Sequence, residues 1–91
     1  MILQRTEHFL RAYQKLDKQR GQPLVDKALR LLAQDPHYPS LRLEKIAPGI
    51  WSIRASLAIR ITFGYEGELA GMREGEIELR NVGTHDVYKN P

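Results

Sequence analysis

Apolar side chains in the first third of the chain return at helical intervals. Phe9, Leu10, Tyr13 and Leu16 fall at i, i+1, i+4 and i+7, with Arg11, Lys15 and Lys18 between them, which predicts an amphipathic helix. Thr6 stands where an N-cap belongs, and Glu7 follows in the first turn. Gly21-Gln22-Pro23 breaks the pattern. A second helix resumes with Pro23 near its first position and Leu24, Ala28, Leu31 and Leu32 on one stripe, until Asp35-Pro36 stops it. The short connection predicts an antiparallel helical hairpin.

Beyond Pro39 the period falls to two. Leu41, Leu43 and Lys45 alternate with Arg42, Glu44 and Ile46, and Pro48-Gly49 then signals a turn. Trp51, Ile53 and Ala55 alternate with Ser52 and Arg54, and Ile59, Ile61 and Phe63 alternate with Ala58, Arg60 and Thr62. Ser56 and Leu57 separate the two runs, as in a hairpin. Gly64 to Gly75, with four glycines and three glutamates, reads as a long flexible turn. Ile77 and Leu79 mark a last strand that ends at Gly83, and Ile2-Leu3 can add an edge strand. The expected class is α+β.

Alternation has a chemical consequence. If Ile53, Ile59, Ile61, Phe63, Ile77 and Leu79 face the helices, then Arg54, Arg60 and Arg80 share the opposite, uncovered face. A sheet covered on one side leaves its other side wet. The three arginines are therefore either a solubilising surface partnered by Glu76 and Glu78 or a phosphate-binding surface. Trp51 shares the parity of Ile53 and belongs to the core.

Composition narrows the class further. Residues 1–91 suffice for a single domain, with 42% apolar and 27% charged side chains. Apolar runs reach only two or three residues, so no membrane span is expected. Met1-Ile2-Leu3-Gln4-Arg5 lacks a signal-peptide apolar region, which predicts a cytoplasmic protein. The absence of cysteine excludes disulfides and thiolate metal sites. Net charge is +3, distributed unevenly: residues 1–47 carry +4 and residues 48–91 carry −1. Nine of the fourteen cations are arginine, which permits polyanion binding without requiring it.

Three segments occur in this order: His37-Tyr38-Pro39-Ser40-Leu41-Arg42; Gly49-Ile50-Trp51-Ser52-Ile53-Arg54 with Ile59-Arg60-Ile61; and Asn81-Val82-Gly83-Thr84-His85-Asp86. Together they resemble the RelE/ParE toxin superfamily of type II toxin–antitoxin systems, over nearly the whole chain. The resemblance implies an N-terminal helical hairpin packed on one face of a four- to five-stranded antiparallel sheet. It also implies a cognate antitoxin, in a toxin–antitoxin hetero-oligomer. The action implied is cleavage of mRNA on the ribosome, which arrests translation. In the ParE branch it is inhibition of DNA gyrase, and an inactive antitoxin-binding homologue is a further alternative. Arg54 and Arg60 match basic positions of the family, His85 its basic or histidine position, and Tyr88 its C-terminal aromatic. The ending His85-Asp86-Val87-Tyr88 is one residue shorter than the family's, and the Gly64–Gly75 turn is longer.

Metal-independent RNA cleavage needs a 2′-hydroxyl attacking the adjacent phosphorus, proton transfer at both oxygens, and cations on the phosphate. The candidate catalytic set is His85, Arg54, Arg60 and Tyr88, with Lys45, Arg42 and Arg80 as RNA- or phosphate-binding candidates. Histidine, with an ordinary pKa of about 6.5, suits proton transfer near neutrality. His85 is otherwise a loop residue closing the last strand. Tyr88 stacks on a base, donates a proton, or packs back on the sheet. Glu78 is a base or the ion-pair partner of Arg80. His8 and His37 read as surface residues. No metal or cofactor is expected, because neither a histidine pair at ligand spacing nor a glycine-rich phosphate loop is present.

Overall fold

The computed structural model describes the backbone of all residues and every side chain except that of His85. The elements are β1 (Ile2–Arg5), α1 (Glu7–Gln14), α2 (Gly21–Gln34), β2 (Glu44–Ala47), β3 (Ile50–Arg54), β4 (Arg60–Gly64) and β5 (Glu76–Gly83), joined in part by 3-10 turns. Thr6 caps α1 as expected. Its hydroxyl accepts from the Phe9 amide at 3.1 Å and donates to the Leu79 carbonyl at 2.8 Å, so the cap also ties the helix to β5.

The interruption between the helices lies earlier than the sequence pattern suggests. Asp17 Oδ1 accepts from the amides of Gln19 and Arg20, closing a turn, and α2 already starts at the buried Gly21. A Cβ at Gly21 would stand 3.2 Å from the Leu16 Cβ, so the glycine permits close approach rather than breaking the helix. Tyr13 Oη donates to Asp26 at 2.7 Å and Gln22 Nε2 donates to the Tyr13 carbonyl, joining the two helices. The bond to Asp26, together with burial and the carboxylate's charge, raises the Tyr13 phenol above its ordinary value. Leu41 is not in a strand. Pro39–Leu41 is a 3-10 turn that buries Leu41, and Arg42 follows in the left-handed region at φ 48°, so β2 starts only at Glu44.

The sheet order is β1-β5-β4-β3-β2. The strand count matches the expectation, but the sheet is mixed rather than antiparallel, because β1 runs parallel to β5 with Ile2 opposite Glu76. Phe9 of α1 and Val25, Ala28, Leu29 and Leu32 of α2 meet Ile53, Ile61, Phe63, Ile77, Leu79 and Val82 in a single core. Core positions on β5 change from odd to even between Leu79 and Val82. A bulge causes the change: Phe63 pairs with Leu79 but Thr62 pairs with Asn81, leaving Arg80 as the extra residue.

The second face of the sheet is not uncovered. A 3-10 turn at His85–Tyr88 packs against β4 and β5 and buries Val87. Asn81 Nδ2 donates to the Asn90 carbonyl at 2.8 Å, and Arg80 Nε donates to the Pro91 carbonyl at 3.2 Å. Ser52, Thr62 and Asn81 form a cross-strand row on this face and all three are buried. The Thr62 hydroxyl finds no hydrogen-bond partner among the described residues.

The Gly64–Gly75 segment is anchored rather than slack. Met72 is wholly buried in the core, Tyr65 Oη donates to the Gly71 carbonyl, and Arg73 lies 3.6 Å from Asp35. No helix among the described residues is long and apolar enough to cross a membrane.

Candidate functional site

Strand register decides which candidate cations meet. Arg54 and Arg60 are directly paired across β3 and β4, so both leave the same face of the sheet, and Arg60 is in turn opposite Gly83 of β5. Two like charges at paired positions repel. Arg60 is held by its own hairpin: Nη1 donates to the Ser56 and Leu57 carbonyls, each at 2.8 Å. These bonds occupy one nitrogen, and the planar fork retains Nε and Nη2 as donors.

His85 begins the 3-10 turn two residues beyond Gly83, at the end of β5 that meets Arg60; its side chain lies outside the described residues. Tyr88 closes the same turn and is 40% exposed. The segment carrying both therefore leaves the sheet at the Arg54–Arg60 end.

The remaining candidates are dispersed. Arg80 stands on the β5 bulge, two to three positions further along, or about 7–10 Å. Its Nη1 donates to Glu78 at 3.0 Å while Nε binds the tail, so Glu78 is an ion-pair partner. Lys45 is on edge strand β2, its ammonium 5.7 Å from the Trp51 ring centre. His37 faces Asp35 at 3.6 Å.

Arg42 lines a groove that Arg54 also borders. The 3-10 turn before β2, the face of α2 carrying Leu24, Lys27, Ala28 and Leu31, and the β3–β4 turn enclose this groove of about 320 Å³. Lys27, Arg42 and Arg54 line it together with Leu41 and Leu57, and no carboxylate does. None of these three cations forms an ion pair among the described residues. Sequence reasoning missed Lys27 and Leu57: one was a helix-surface cation and the other a turn residue, with no pattern linking them. It also missed Asn81, whose orientation follows from the bulge. No cluster of metal-ligating side chains occurs among the described residues.

No family model and no curated protein matches this sequence. Solved structures do resemble it. A YoeB/ParE toxin from Agrobacterium tumefaciens superposes with a TM-score of 0.69 at 20% identity, over 93% of this chain and 99% of that one. A copper-bound mutant toxin from Helicobacter pylori gives 0.71 at 12% identity, over 96% and 97%. The RelBE toxin–antitoxin complex of E. coli gives 0.62 at 18% identity, over 91% and 94%. The chain has the α+β fold of RelE/ParE-type toxins.

Proposed function

We propose that this protein is the toxin of a type II toxin–antitoxin system and acts as a ribosome-dependent, metal-independent mRNA endoribonuclease, neutralised by a cognate antitoxin. The register Arg54–Arg60–Gly83, with His85 two residues further on, carries the reading. In this mechanism the 2′-oxygen bonds to phosphorus as the bond from phosphorus to the 5′-oxygen breaks. His85 takes the proton of the 2′-hydroxyl or gives one to the departing 5′-oxygen, the other transfer passing through Tyr88 or water, and Arg54 with the free edge of Arg60 bears the charge that builds on the phosphate oxygens. The hairpin carbonyls fix Arg60 in advance, which is what electrostatic preorganisation requires. Tyr88 stacks on a base or supplies a second proton, and Lys45, Arg42 and Arg80 serve as outer phosphate contacts.

Primer extension on translating ribosomes with purified protein tests the reaction. Wild type should cut mRNA within the ribosome, and Arg54→Ala and His85→Ala should each lower the rate by about a hundredfold or more. Equal cutting by all three proteins overturns the site.

A second reading, inhibition of DNA gyrase by binding, requires no acid–base residue. Inhibited supercoiling by purified gyrase without mRNA cleavage would select it.

A further inference from the structure

The segment beyond β5 is held to the sheet at few points. Its own backbone bonds are local: the Val87 amide donates to the Thr84 carbonyl, that of Lys89 to Asp86, and that of Asn90 to Val87. Val87 is buried, and its Cγ1 lies 3.3 Å from where a Cβ at Gly83 would stand. Past that contact, two adjacent residues of β5 reach two adjacent carbonyls. Asn81 Nδ2 donates to Asn90 at 2.8 Å, and Arg80 Nε donates to Pro91 at 3.2 Å. The order of the partners is reversed, so the chain doubles back along β5. Tyr88, two residues before Asn90, is thereby kept toward Gly83, the position paired with Arg60.

The two donors are not equivalent. Arg80 is shared with Glu78 and its side chain is 39% exposed, so water competes for its bonds. Asn81 is buried, and both ends of its amide are engaged: Oδ1 accepts from the Val82 amide at 2.8 Å while Nδ2 holds Asn90. The first bond fixes which way the amide points and so where the second is aimed. The bulge at Arg80 is what brings Asn81 to this face.

We propose that Asn81 is a positioning residue: by holding the Asn90 carbonyl it fixes the segment that carries His85 and Tyr88 at the Arg54–Arg60 end of the sheet. The role rests on the reaction proposed above. Asn81 is buried and touches no reacting atom. Proton transfer needs its groups within hydrogen-bond reach, and a misplacement of about 1 Å can cost on the order of a hundredfold in rate. Arg54 and Arg60 sit on β3 and β4 and depend on neither tail bond. Loosening the segment therefore impairs the chemical step and spares the binding of RNA.

Single-turnover cleavage of mRNA on purified ribosomes, with the full chain, tests this split. Asn81→Asp sets a carboxylate against the Asn90 carbonyl and should slow the step about tenfold or more, with the half-saturating ribosome concentration within about twofold of wild type. Asn81→Ala removes the donor without adding charge and should act in the same direction. Ile77→Val, a core substitution on the opposite face of β5, should cut at the wild-type rate despite its own loss of stability. Hydrogen exchange read by mass spectrometry should accelerate over residues 84–91 in both Asn81 variants and stay unchanged over β3 and β4, which also verifies the fold.

A wild-type rate in both Asn81 variants overturns the proposal. So does a loss carried by the half-saturating concentration instead of the rate, an equal slowing by Ile77→Val, or unaltered exchange over residues 84–91. A wild type that cuts no mRNA removes the proposed function and the positioning role with it, whereas a cutting wild type with indifferent Asn81 variants removes the positioning role alone.

Discussion

The two faces of the sheet are built on different terms. Toward the helices, Ile53, Ile61, Phe63, Ile77 and Leu79 are all at 0% exposure. On the other face the same strands present Ser52, Thr62 and Asn81, covered by a segment that adds one buried apolar side chain, Val87. Burying a large apolar side chain contributes about 1.5–3 kcal/mol, whereas a hydrogen bond contributes about 0.5–1.5 kcal/mol net. The first face therefore holds the molecule together. The second is closed by a few polar contacts, so its cover should open before the fold does.

The largest expected effect lies on the first face. Phe63→Ala should lower unfolding stability by about 3–5 kcal/mol in urea titration, and a loss below about 1 kcal/mol would mean that this face is not the stability centre. A smaller effect is expected from Asn81→Ala, which removes the donor to the Asn90 carbonyl and should cost about 1–3 kcal/mol. Its signature is local: limited proteolysis of the C-terminal segment should accelerate more than the global loss accounts for. Protection equal to wild type would refute the weaker closure. Smallest of all, Thr62→Val should range from neutral to a gain of about 1 kcal/mol, since it replaces an unpartnered hydroxyl with a methyl of similar volume. A clear loss would show that the hydroxyl is bonded.

The difference between the faces also explains what could be read from the sequence. Strict alternation in β3 and β4 placed Ile53, Ile61 and Phe63 inward and put Arg54 and Arg60 on one face; that the two are directly paired is known only from the register. In β5 the same rule fails after Leu79, because a bulge leaves no signature in residue order; Asn81 would have been assigned to the core side. Leu41 and Leu43 imitated a strand period, although Leu41 belongs to a tight turn that ends in a left-handed arginine. Met72 lay hidden in a run of glycine and glutamate, where a single apolar residue has no period to reveal it. The candidate site shows the same division. The shared face of the two arginines follows from local periodicity, while the cationic groove joins α2 to a hairpin turn and depends on tertiary assembly.

The parallel pairing at the sheet's edge governs when the molecule can exist at all. β1 is synthesised well before its strand partner β5; Gln4 bonds to Glu76, 72 positions away. Local α1 and α2 turns can form early, but closing so wide a loop must await the synthesis of β5. A nascent chain halted before Glu76 has neither the β5 ladder nor the closing turn, so premature termination should release fragments unable to assemble this architecture.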